Sequence, residues 1–129
     1  MIVDTSALVA IVVREAGYEA VLAKLDQPHA NAGMGTPTIV ELAIVLSARL
    51  GTNARSLVAD LLEHFEIAEV PFADAHWRAS IEAFWRYGRG RHRAGLNFGD
   101  CLTYAVAHLA DEPLLFVGDD FAATDLTPV

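Results

Sequence analysis

Apolar positions along the chain alternate between short continuous runs and longer stretches whose spacing is helical. Met1 to Val3 reads as a short strand, and Thr5 to Val13 continues as a helix rich in Ala, Leu and Val. Glu15 to Leu25 follows as a second helix, with Ala16, Ala20, Leu22 and Ala23 on one side. Asp26 to Pro37 holds two Pro and two Gly and reads as a loop with at most one brief strand. Thr38 to Leu50 predicts a strong helix closed by Gly51 as C-cap, and Asn53 to Phe65 another. Ile67 to Val70 reads as a strand stopped by Pro71, and Asp74 to Tyr87 as a helix rich in aromatic residues. A segment of Gly and Arg from Gly88 to Gly95 leads into a helix over Phe98 to Ala110. Leu114 to Val117 is a fully apolar strand, and Asp125 to Val129 is a candidate edge strand. Strands alternating with helices predict an α/β fold, a parallel sheet covered on both faces.

Composition narrows the class. The 129 residues suit one domain, and 53% hydrophobic residues suffice for a packed interior. The sole cysteine, Cys101, excludes an intrachain disulfide and favours a reducing compartment. The apolar start lacks a basic flank, carries Asp4 and is too short to cross a bilayer, so a cytoplasmic protein with no membrane partner is expected. A net charge of −8 opposes nucleic-acid binding by bulk attraction. Positive charge is nevertheless concentrated locally: of nine Lys and Arg, four (Arg86, Arg89, Arg91 and Arg93) fall within eight positions.

The acidic residues carry the chemistry. Asp4, Glu41, Asp100 and the pair Asp119–Asp120 each stand near an expected passage from strand to helix. Singly, each has an ordinary explanation. Asp4 suits an N-cap, Glu41 lies three residues after Thr38 as in a capping box, Asn97 would cap the helix of Asp100, and Asp119–Asp120 suit a turn after Gly118. Jointly they differ, because parallel strands deliver their carboxyl ends to one edge of the sheet. Carboxylates crowded there repel, and a hard divalent cation such as Mg²⁺ relieves them. Zinc is not expected from one Cys and five scattered His. Among these, His92 among the arginines suits a solvated loop or a phosphate contact, and His29, His64, His76 and His108 show no pairing. Trp77, Phe84, Trp85 and Tyr87 are expected to pack their helix on the sheet, with Tyr87 alternatively stacking on a base.

The segments MIVDTSAL, IVELAIVL, LNFGDCLTYAVA and LLFVGDDFAATDL, in this order, resemble the PIN-domain family. More narrowly, RYGRGRHRAGLNFGDC followed by LLFVGDDF is similar to VapC ribonuclease toxins of type II (VapBC) toxin–antitoxin pairs. The resemblance implies a three-layer α/β/α sandwich with a central parallel sheet of four to five strands, in a single domain over residues 1–129. It implies acids binding Mg²⁺ or Mn²⁺, with Asp4 and Asp100 as main ligands and Glu41 contributing directly or through water. The fourth acid falls on Asp119 or Asp120, and Thr5 and Ser6 match hydroxyl residues lining the pocket. It also implies an RNA substrate, a cognate VapB-like antitoxin that inserts a basic side chain into the pocket, and a homodimer or toxin–antitoxin heteromer. Arg86, Arg89, Arg91 and Arg93 would then hold RNA phosphates, although a solvated loop or a contact between protomers fits them as well.

Other classes fit less well. A receiver-like signalling domain needs a lysine near its acidic pocket, and the only one is Lys24 in an early helix. A haloacid-dehalogenase-type phosphatase needs D-x-D where this chain has Asp4-Thr5-Ser6. A binding module, whose acids merely dock a basic segment, would be indifferent to metal and cut nothing.

Overall fold

The computed structural model describes residues 1–27 and 31–129; the reading of His29 lies outside them. Four strands form the sheet: β1 (Ile2–Val3), β2 (Gly33–Gly35), β3 (Ala68–Val70) and β4 (Leu114–Leu115). Six α-helices accompany them among the described residues: α1 (Thr5–Val13), α2 (Tyr18–Leu25), α3 (Thr36–Leu50), α4 (Arg55–His64), α5 (Asp74–Tyr87) and α6 (Phe98–Ala110). The strand order is β3-β2-β1-β4 and every pairing is parallel. The chain thus winds outward from β1 through β2 to β3, then returns to lay β4 on the other side of β1. Such a reversal opens a crevice at the carboxyl ends of the strands on either side of it.

Two apolar clusters cover the two faces. Val3, Met34 and Leu115 face a layer from α1 to α4 that includes Leu8, Leu42, Leu46 and Val58. Ile2 and Leu114 face α5 and α6 through Ala83, Leu96, Tyr104 and Val106. Successive strand residues point to opposite faces, so a strand of two residues still serves both layers. The result is the expected three-layer α/β/α sandwich.

Several boundaries differ from the sequence reading. The second helix begins at Tyr18 instead of Glu15, because Arg14 adopts a left-handed conformation and closes α1. The one brief strand allowed before Pro37 does form: it is β2, and it lies inside the sheet with Gly33, Met34 and Gly35. A Cβ on Gly35 would lie 2.9 Å from Val106 Cγ2, so glycine lets α6 settle on the sheet here. Pro37 belongs to the first turn of α3, where its missing N–H costs nothing. The C-terminal edge strand is reduced to a single parallel bridge between Leu114 and Pro128. Of the four aromatic residues expected to pack α5, only Tyr87 is buried; Trp77, Phe84 and Trp85 remain 42–58% exposed. No helix among the described residues is long and apolar enough to cross a membrane.

Candidate active site

Asp4 leaves β1 at the reversal of strand order and caps α1, its Oδ2 accepting the Ser6 N–H at 2.9 Å. Ser6 then does a second job. Its hydroxyl donates to the same Oδ2 at 2.6 Å while its oxygen accepts the Val117 N–H just beyond β4, at 3.0 Å. One hydroxyl therefore ties the Asp4 carboxylate to the neighbouring strand end. The other Asp4 oxygen accepts no hydrogen bond among the described residues. Burial leaves Asp4 only 7% exposed.

Glu41 is not a capping residue. Helix α3 starts at Thr36, so Thr38 lies inside it, and the Thr38 hydroxyl meets that of Thr103 at 3.0 Å. Glu41 instead projects from the second turn, and its Oε2 accepts the Thr5 hydroxyl at 3.1 Å. Its carboxylate rests against the first turn of α6: a Cβ on Gly99 would stand 2.8 and 2.9 Å from the two carboxylate oxygens. Glycine next to Asp100 is therefore what allows Glu41 and Asp100 to occupy one site.

Asp100 and Asn97 form the expected capping box, with Asp100 N–H donating to Asn97 Oδ1 at 2.9 Å and Asn97 N–H to Asp100 Oδ2 at 2.8 Å. Capping uses one Asp100 oxygen and leaves the other for the pocket. Of the acidic pair after Gly118, Asp120 lines the pocket and Asp119 does not. The pocket of about 240 Å³ is walled by Asp4, Thr5, Ser6, Glu41, Asp100 and Asp120, with Glu15 and Arg49 also on its lining.

The electrostatics agree with the geometry. Burial raises the Glu41 carboxyl above its ordinary value, the Thr5 hydrogen bond opposes this, and repulsion from Asp4 and Asp100 adds to the rise. Burial also raises Asp100, with the Asn97 N–H pulling it down, Asp4 and Asp120 pushing it up, and Arg89 pulling it down. Asp4 thus acts on both Glu41 and Asp100, and Asp120 acts on Asp100. Among the described residues no three His, Cys, Asp or Glu stand close enough together to hold a metal ion between them. The donor set is all oxygen, and it suits a hard cation that keeps several waters and takes only one or two carboxylates directly.

The arginine segment divides. Arg89 reaches the field of Asp100. Arg86 turns away, donating to Asp125 at 3.3 Å and to the Tyr87 hydroxyl at 2.9 Å. Arg91 lies 3.5 Å above the Trp85 ring. Arg93 is exposed. His92 Nδ1 accepts the Ala94 N–H at 3.1 Å, and its ring meets Tyr87 edge-on. Tyr87, 8% exposed, has no face free for a base. Burial pushes the Cys101 thiol up to about 11, so it is an inert packing residue at neutral pH. Lys24 donates from α2 to the Val129 carbonyl and is not among the pocket-lining residues, against a receiver-like site. Glu15 and Arg49 were not singled out in the sequence, though Glu41, Val45 and Arg49 at successive fourth positions share one helical stripe.

A family model described as PIN domain matches residues 1–126. Ribonuclease VapC36 of Mycobacterium tuberculosis is 47% identical over 126 residues, spanning 98% of this chain and 91% of its own. Ribonuclease VapC of Mycolicibacterium smegmatis is 41% identical over 130 residues, spanning 100% and 99%. Among solved structures, Mycobacterium tuberculosis VapC20, described as a sarcin-ricin loop cleaving toxin, superposes with a TM-score of 0.80 at 17% identity, over 99% of this chain and 97% of its own. A toxin–antitoxin complex from Klebsiella pneumoniae gives 0.69 at 17% identity, over 96% and 92%. The structural likenesses establish the fold, and the sequence matches establish the lineage. The chain belongs to the PIN domain family, in its VapC branch.

Proposed function

We propose that this protein is an endoribonuclease toxin that hydrolyses RNA phosphodiesters at the Asp4–Glu41–Asp100–Asp120 pocket. The observation carrying the reading is the convergence of these acids at the reversal of strand order, in a chain 47% identical to a ribonuclease VapC. Asp4 and Asp100 each keep a carboxylate oxygen outside the capping bonds, and they would hold Mg²⁺ or Mn²⁺ with help from Glu41 and Asp120. When bound, such a cation supplies an acidified water and neutralises charge developing on the phosphate.

The remaining work falls to the chain's own residues. Thr5 fixes Glu41 at the pocket wall by donating to Oε2. Glu41, held by Thr5 and not engaged in capping, would take the proton of an attacking water. Ser6 holds Asp4 against the end of β4. Arg89, whose charge reaches Asp100, would take a phosphate of the RNA, whereas Arg86 and Arg91 are engaged with Asp125 and Trp85. Water in place of the ribose 2′-hydroxyl forms the new P–O bond, the bond from phosphorus to the 3′-oxygen breaks, and the products are a 5′-phosphate and a 3′-hydroxyl.

A VapB-like antitoxin is the partner we propose, since a toxin–antitoxin complex shares the fold and an acidic pocket accepts a basic side chain. The test is cleavage of a mixed RNA pool in Mg²⁺ by the wild type and by Asp4→Asn. Loss of cleavage in the variant, with 5′-phosphate ends from the wild type, supports the reading; equal cleavage by both overturns it.

A further inference from the structure

The pocket's acids face one cation among its own lining residues, Arg49, and the sequence reading had placed all phosphate contacts elsewhere. Arg49 stands two turns beyond Glu41 on α3, with Val45 between them on the same stripe, and all three line the pocket. Eight residues of helix separate Arg49 from Glu41 by about 12 Å along the axis. Helical side chains lean toward the N-terminus, so the guanidinium reaches back over the pocket from its rim. Arg49 meets Glu15, just beyond α1, through one contact of 3.7 Å, and the two side chains are 56% and 38% exposed. A single long contact between exposed partners contributes little and is readily exchanged. A phosphate diester can take two parallel bonds from the guanidinium fork, where Glu15 makes one long contact.

We infer that Arg49 is a phosphate-binding residue for single-stranded RNA, gripping a backbone phosphate next to the scissile one, and that Glu15 competes for it in the free protein. The inference rests on the ribonuclease reading and deepens it. Arg49 lines the pocket itself, whereas Arg89 lies outside its lining and acts on Asp100 only through its charge. Together they lay a track for the RNA backbone across a protein of net charge −8. Glu15 has a definite sign in this scheme: it holds Arg49 when RNA is absent and so competes with the strand for the guanidinium.

The experiment measures binding of a labelled mixed-sequence single-stranded RNA to Asp4→Asn protein, which binds without cutting, across a range of salt. Arg49→Ala in this background should weaken binding about ten-fold, the loss of one charge-assisted phosphate contact, and lower the salt slope by about 0.7. Arg49→Lys should fall between. Glu15→Gln should tighten binding about two- to three-fold, and this gain should vanish once Arg49 is Ala. In otherwise wild-type protein the same changes should move KM more than kcat. Binding and salt slope unchanged by Arg49→Ala and Glu15→Gln, in a protein that does cut RNA, would overturn this inference alone and leave the pair a tether between α1 and α3. A wild type that neither binds nor cuts would overturn the ribonuclease reading itself.

Discussion

Replacing Gly99 with Ala separates the site from the fold. The added methyl would stand 2.8 Å from Glu41 Oε1, 2.9 Å from Oε2 and 3.0 Å from Cδ. Ordinary contact begins near 3.4 Å, so the carboxylate must retreat by about half an ångström or more. Glu41 ends a flexible side chain, so the retreat costs little stability. Helix propensity works the other way, since Ala in a helix is favoured over Gly by up to about 1 kcal/mol, less in a first turn. The melting temperature should hold or rise. Activity should not. The shift draws Glu41 off the Thr5 hydroxyl and away from Asp100, and misplacement approaching 1 Å can cost about 10²-fold. We expect kcat for RNA cleavage to fall about ten-fold or more at unchanged or higher stability. Glu41→Asp, shorter by one methylene, should lower activity alone yet recover part of it when combined with Gly99→Ala. A Gly99→Ala protein with wild-type kcat would refute the reasoning that Glu41 must lie on that turn.

Two further outcomes test the frame around the site. The Tyr104 hydroxyl donates to Asp125 Oδ1 at 2.6 Å, and although burial works against it, this bond and Arg86 hold the Asp125 carboxyl below its ordinary value. A lowered carboxyl stabilises the fold above its unfolded value and ceases to as pH falls through the folded one. Tyr104→Phe should therefore cost about 1 kcal/mol near neutral pH, reduced because Asp125 is partly exposed, and the gap to wild type should close in acid; denaturant melts at several pH values check this. The Thr38 and Thr103 hydroxyls are buried against each other at 3.0 Å, so Thr103→Val alone should cost about 1–2 kcal/mol, whereas changing both to Val should cost less than that single change, as urea melts would show.

The parts of the site that depend on local rules were legible in the sequence. Asp4 after an apolar strand and Asp100 three residues past Asn97 are capping arrangements, and both caps form as read. Glu41 was misplaced locally because Thr38 offers the same spacing, while Pro37, taken for a loop residue, in fact opens the helix. Strand β2 is nearly invisible in sequence, since two of its three residues are glycines chosen for close approach and not for β-propensity. Choosing Asp120 over Asp119 needed the turn geometry, which no spacing encodes. Trp77, Phe84 and Trp85 looked like core because hydrophobicity marks burial only on average. Glu15 and Arg49 belong to the pocket through tertiary packing alone; the stripe from Glu41 to Arg49 was available but pointed nowhere until the opposite wall was known.

The most direct test is a manganese titration followed by electron paramagnetic resonance, in which the signal of free Mn²⁺ disappears as the ion binds. The account predicts that wild-type protein removes the signal and that Asp4→Asn and Asp100→Asn, still folded, each weaken this uptake by about ten-fold or more. Uptake identical in all three proteins would contradict a shared cation site built from carboxylates on α1's cap and α6's first turn.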